Sequence, residues 1–134
     1  MRHILLVEDS AADVLMVREA VRHSGVDTRI TISYDGEQAL NLLDLGFQAD
    51  LIILDLNLPS VSGFDILERH SWSEGPPIVV LTGSTNPEER DRALMLGAKD
   101  FLVKPGDCET YMATVRELIG RWTVLETDAV GTSF

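Results

Sequence analysis

Cysteine is almost missing from this sequence: Cys108 is the single one, so no internal disulfide can form and a zinc site built from thiolates is excluded. Positive charge is also scarce, with 11 Lys and Arg against 22 Asp and Glu and a formal net charge of -11. Phosphate backbones and anionic bilayer surfaces repel a body of that sign, which argues against direct nucleic-acid or membrane partners. A metal cation or a basic protein surface fits it better. Long apolar runs are lacking too, and the first, Ile4 to Val7, is far shorter than a signal-peptide core or a membrane span. No glycine-rich phosphate loop occurs, and His3, His23 and His70 have no ligand spacing. These absences point to a reduced, cytoplasmic protein whose chemistry rests on carboxylates.

What is present is the composition of a folded chain: 45% hydrophobic and 25% charged residues over 134 positions, enough for one core and too little for two. No repeat, linker or low-complexity segment divides it. Residues 1–125 are expected to form the domain, and residues 126–134, which lack apolar periodicity, a loose tail.

Three apolar runs are continuous rather than alternating: Ile4 to Val7, Leu51 to Leu54 and Ile78 to Leu81. Continuous runs suit strands covered on both faces, as in a parallel sheet between helices. Thr28 to Ser33 and Phe101 to Val103 have the β-branched or aromatic character of strands nearer a sheet edge. Between the runs lie helical patterns. Ser10 is an N-cap candidate with Asp13 three residues on, followed by Met16, Val17, Ala20 and Val21, and Gly25 ends that helix. Asp35-Gly36 opens a second with Ala39, Leu40, Leu43 and Phe47, and Ser62-Gly63 a short third. Pro87 sits at a first-turn position before Glu88 and Glu89, with Gly97 closing that fourth helix. The fifth is expected from about Asp107 to Trp122. Five alternations of strand and helix give an α/β fold, doubly wound with right-handed crossovers.

In such sheets, ligands bind beyond the carboxyl ends of the strands. There the sequence places Glu8-Asp9, Asp55, Thr82-Gly83 and Lys104-Pro105. Three carboxylates gathered in one cleft repel each other and would take up protons unless a hard divalent cation such as Mg²⁺ neutralises them. With that cation, one carboxylate can attack phosphorus and form an acyl phosphate. The phosphoryl oxygens then need an ammonium, for which Lys104 is the candidate, and a hydroxyl or amide donor from Thr82 or Gly83. Singly, these residues have ordinary explanations. Asp13 reads as part of a helix cap, Glu8 is open between the two roles, Lys104 alone would be a solvated charge and Thr82 a strand former. The set arriving at the ends of four strands is what carries the inference.

With Glu8-Asp9, Asp55, Thr82 and Lys104 in hand, the sequence resembles the receiver domains of two-component response regulators from Ile4 to about Trp122. Leu54 to Pro59 with Gly63 is similar to the family's phosphoacceptor loop, and Gly97-Ala98, Asp100-Phe101 and Lys104-Pro105 to its closing segment. The resemblance implies a flavodoxin-like (βα)5 three-layer sandwich with strand order 2-1-3-4-5, and phosphorylation of Asp55 by a histidine kinase. It implies Mg²⁺ held by Asp9, Asp55 and the backbone carbonyl of Asn57, with Glu8 acting through water. It also implies a cis peptide between Lys104 and Pro105, and a switch in which the Thr82 hydroxyl moves inward and the aromatic Phe101 follows. For Phe101, plain core packing is the rival reading. Ala12 to Val14 is similar to single-domain regulators paired with bacterial phytochromes, which makes a bacteriophytochrome-type kinase a candidate partner.

No output module is expected after Trp122, so the partner should be a downstream protein target or a phosphotransfer protein. Leu94, Tyr111, Val115, Trp122 and Leu125 are apolar material for a homodimer through the fourth and fifth helices, or else simply cover the sheet. The chain is not expected to be an enzyme in the turnover sense. A haloacid-dehalogenase-like phosphohydrolase would share the aspartate, cation, hydroxyl and lysine. It needs a second aspartate two residues after the nucleophile, where this chain has Asn57, and a nucleophile after the first strand rather than the third.

Overall fold

The computed structural model describes residues 1–70, 72 and 75–123. Strand and helix alternate through β1 (Arg2–Val7), α1 (Ala11–Arg22), β2 (Thr28–Ser33), α2 (Gly36–Asp44), β3 (Leu51–Leu54), α3 (Gly63–Arg69), β4 (Ile78–Thr82), α4 (Pro87–Met95), β5 (Asp100–Val103) and α5 (Cys108–Trp122). All strand pairings are parallel, in the order β2-β1-β3-β4-β5. The two less apolar strands, β2 and β5, are the edges.

The continuous runs divide between two cores by strand alternation. Leu5, Val7, Ile52, Leu54, Ile78 and Val80 pack under α2, α3 and α4 with Leu40, Ile66 and Ala93. Ile4, Leu6, Leu51, Ile53, Val79 and Leu81 face α1 and α5 through Val14, Val17, Val115 and Ile119. Each fully buried aliphatic side chain contributes about 1.5–3 kcal/mol relative to an exposed one, so this double-sided burial dominates the fold.

Every helix begins on a side-chain cap: Ser10, Asp35, Ser62, Asn86 and Asp107 each accept a hydrogen bond from an N–H of the following first turn. Ser62 and Asp65 form a reciprocal capping box. Such caps are worth about 1 kcal/mol each, and here they also fix where each chain segment leaves the sheet rim. Helix ends differ slightly from expectation. Phe47 lies beyond α2, which stops at Asp44 ahead of Gly46 at φ +83°. The short α3 ends at Arg69, and Trp72 then packs back as loop filling, its indole N–H donating to the Leu67 carbonyl at 3.1 Å.

The expected domain end at residue 125 and the tail 126–134 lie outside the described residues, as does Leu125. Among the described residues, no helix is long and apolar enough to cross a membrane. Tyr111 and Val115 are buried, and Leu94 and Trp122 are partly buried against the cores. These four residues therefore cover the sheet within the single chain, the second of the two readings given for them. The exposed apolar side chains on that side are Met95 and Val103.

The Lys104–Pro105 peptide is trans, against the cis form the resemblance implied; no peptide among the described residues is cis. Trans is the lower form of an X-Pro bond by about 0.5–1 kcal/mol, and in it the Lys104 side chain already reaches the carboxylates described next.

Candidate functional site

Sheet hydrogen bonds continue one residue past the strand ends and set the positions of the acids. The Glu8 N–H donates to the Ser33 carbonyl at 3.0 Å, and the Asp55 N–H to the Val7 carbonyl at 3.0 Å. On the far side, the Lys104 N–H donates to the Thr82 carbonyl at 2.7 Å. Residues from β1, β3, β4 and β5 are thus fixed by one ladder on a common rim.

Glu8, Asp9 and Asp55 converge there, each offering one carboxylate oxygen, all within 4.8 Å of one another. Glu8 and Asp55 are buried and Asp9 is exposed, so the cluster opens to solvent on the Asp9 side. Hard oxygen donors at this spacing suit a divalent cation, and among the described residues this is the one such group of acidic, histidine or cysteine side chains.

Lys104 Nζ lies 2.9 Å from Glu8 Oε2, 3.2 Å from Asp55 Oδ2 and 3.2 Å from Asp13 Oδ2. An ammonium has three N–H donors, and here each has a carboxylate. Burial works to lower the lysine's proton affinity, but the Glu8, Asp55 and Asp13 carboxylates outweigh it and hold the ammonium well above the ordinary lysine range. Glu8 goes the other way from a usual acid: burial, with the neighbouring Asp55 charge, outweighs the Lys104 and Ser10 hydrogen bonds and pushes it up to about 7. Three acids around one base leave an excess of negative charge, and the most deeply buried acid carries the penalty.

Around Asp55, Oδ1 accepts the Asn57 N–H at 3.2 Å. The Asn57 side-chain amide donates to the Thr82 hydroxyl at 3.4 Å, and the Ser84 N–H reaches the same oxygen at 3.4 Å. Both bonds are long, so Thr82 Oγ1 is weakly held at the buried end of β4. Gly63 lets the start of α3 lie against this loop: its N–H donates to the Leu56 carbonyl at 3.0 Å, and a Cβ there would stand 2.6 Å from the Asp55 carbonyl.

The structure therefore brings together Glu8, Asp9, Asp55 and Lys104, with Asn57 and Thr82 beside them. Phe101 is buried in the core and 7% exposed, its side chain turned inward. Gly83 is exposed at the rim. Asp13 takes part in the helix cap as expected, its backbone N–H donating to Ser10 Oγ at 3.3 Å, and beyond that role its carboxylate reaches Lys104. The signal for this was present in the sequence, because a first-turn residue of a helix starting at the rim points near whatever the rim holds. His3, His23 and His70 are engaged elsewhere, with Thr31, Glu19 and Asp44 respectively.

Comparison with known proteins agrees with this geometry. Residues 4–116 match the response regulator receiver domain family. Response regulator ArlR of Staphylococcus aureus is 35% identical over 123 residues, covering 90% of this chain and 54% of that protein, so the chain spans about half the length of the curated relatives it matches. Among solved structures, the Mn²⁺-bound form of response regulator Rcp1 superposes with a TM-score of 0.83 at 31% identity, over 93% of this chain and 98% of that one. The phosphorylated cyanobacterial phytochrome response regulator RcpA gives 0.82 at 28% identity, over 90% and 93%. A family match over residues 4–116, on a sheet whose rim carries the acids and the lysine, has one consequence for classification: this chain belongs to the receiver domains of response regulators.

Proposed function

We propose that the chain acts as a receiver in the cytoplasm, taking a phosphoryl group from a histidine kinase onto Asp55 with Mg²⁺ and signalling through protein contacts. The observation that carries this reading is the placement of the buried Asp55 carboxylate, which shares a 4.8 Å cluster with Glu8 and Asp9 and lies 3.2 Å from the Lys104 ammonium.

Asp9 and Asp55 would hold the cation, with the Asn57 carbonyl as a further ligand and Glu8 acting through water. Bound there, Mg²⁺ supplies positive charge opposite the phosphoryl oxygens. The remaining chemistry belongs to the chain. An Asp55 oxygen forms the new O–P bond as the P–N bond of the phosphohistidine breaks, and the leaving imidazole keeps the electron pair and takes a proton. Lys104 can leave Asp55 for a phosphoryl oxygen without leaving the rim. The weakly held Thr82 hydroxyl can turn to a second phosphoryl oxygen, and the Phe101 ring, which already lies inward, would repack around it. The chemistry is self-directed, one group per chain, so the protein is not an enzyme that turns over a pool of substrate.

The likeness to Rcp1 and RcpA supports a phytochrome-type sensor kinase as the donor, and a downstream target or phosphotransfer protein as the receiver of the signal. Incubation of the chain with acetyl phosphate and Mg²⁺, followed by intact mass measurement, tests the proposal. Wild type should gain one phosphoryl group and Asp55→Asn none; equal gain by both would defeat it.

A further inference from the structure

Of the three carboxylates on the Lys104 ammonium, two belong to the cation cluster and one does not. Glu8 and Asp55 lie in the group able to hold a metal, whereas Asp13 lies outside it. A cation entering the cluster therefore competes with Lys104 for Glu8 and Asp55 but leaves Asp13 to the lysine. A second observation marks Asp13 as prepared for this: the Tyr111 hydroxyl on α5 is buried, has no partner at hydrogen-bonding geometry and lies beside the Asp13 carboxylate. Burial works to raise Asp13, yet the Tyr111 and Ser10 hydroxyls and the Lys104 ammonium hold it below the usual carboxylate range, so it stays a charged partner. With that hydroxyl at hand, the carboxylate also keeps a donor if the ammonium leaves.

We propose that Asp13 is a positioning residue that parks the Lys104 ammonium at the rim, drawing it off Glu8 and Asp55 so that a divalent cation can take those oxygens. This rests on the phosphoacceptor reading of the site and deepens it. Asp13 touches neither the cation nor the phosphoryl group; it acts through Lys104.

Because the action is indirect, a double-mutant cycle separates it from the simple attraction of one more negative charge. Mg²⁺ alone is titrated calorimetrically into the unphosphorylated full chain as wild type, Asp13→Asn, Lys104→Met and the double variant. With Lys104 present, Asp13→Asn is expected to weaken Mg²⁺ binding about fivefold, since the ammonium then falls back wholly on the metal's oxygens. In the Lys104→Met background, the same change should cost less than about twofold. The Ser10 cap acts on the backbone of residue 13 and survives either replacement, and Asp13→Ala, held to the same outcomes, covers a failure of Asp13→Asn to fold. Equal weakening in both backgrounds, no weakening, or tighter binding on loss of Asp13 would overturn the positioning role while leaving the phosphoacceptor reading intact. A wild-type chain that takes up no Mg²⁺ would end both.

Discussion

Lys104 Nζ stands 2.9 Å from Glu8 Oε2, joining an ammonium after the last strand to a carboxylate after the first across 96 residues of sequence, with the lysine 16% and the acid 3% exposed. That pair makes the rim both a structural element and a chemical one. The same ammonium that neutralises the acids in the fold is the group best placed to meet an incoming phosphoryl oxygen.

Removing it should expose the repulsion it offsets. Lys104→Met is expected to lower stability by about 2–3 kcal/mol in the presence of a chelator, somewhat under the usual cost of breaking a fully buried pair. Added Mg²⁺ should restore most of the loss. Thermal unfolding with and without Mg²⁺ measures both; a loss that Mg²⁺ fails to reverse would place the effect in packing instead.

Acidity provides an independent handle. Glu8 is pushed from the ordinary 4.5 up to about 7 in the folded protein. The folded state then binds that proton more tightly than the unfolded one, so this group's contribution to stability falls as pH rises from about 4.5 to about 7. Asp13, held below its ordinary 3.8, contributes stability above that value and loses it only as pH falls through its lower folded pKa. Glu8→Gln should therefore flatten the chelated protein's stability profile between pH 4.5 and 7 while leaving the acid limb. Binding of Mg²⁺ should weaken as pH drops below 7 in wild type, because the proton and the cation compete for Glu8. A pH-independent Mg²⁺ affinity across that window would refute the assignment.

Backbone proximity at Gly63 gives a steric prediction. A methyl group there meets the Asp55 carbonyl at 2.6 Å and Leu56 Cα at 2.7 Å, and both neighbours are backbone atoms that cannot swing aside. Gly63→Ala is expected to cost about 1–3 kcal/mol and to slow phosphorylation by displacing Asp55. Chemical denaturation and the acetyl phosphate reaction read the two effects, and full activity would show that the loop yields more easily than its packing implies.

The proposed conformational change would be read at Phe101. Its ring is inward and buried in the structure, and the Thr82 hydroxyl is held by bonds of 3.4 Å. If the switch operates, Thr82→Ala should uncouple phosphorylation from any shift at Phe101, as followed by NMR of the ring. Identical ring signals before and after phosphorylation of wild type would reduce Phe101 to a core residue.

Much of this architecture was legible because parallel strands bury both faces. Uninterrupted runs such as Ile4 to Val7 and Leu51 to Leu54 announced strands, and their ends announced Glu8, Asp9 and Asp55. Helix neighbours were less legible. Periodicity along α5 showed that Tyr111 and Val115 are apolar on one face but not that this face meets α1, so the approach of Tyr111 to Asp13 across the two helices went unread. Nor does composition decide the Lys104–Pro105 peptide, since an energy difference of about 0.5–1 kcal/mol separates the isomers.

The site of modification is the most direct measure of the whole account. Borohydride reduces an aspartyl phosphate to the alcohol, and peptide mass mapping after reaction with acetyl phosphate and Mg²⁺ then locates it. The alcohol should appear at Asp55 alone. Its appearance at Asp9 or Asp13, or at no residue in a chain that binds Mg²⁺, would contradict the assignment of Asp55 as the acceptor.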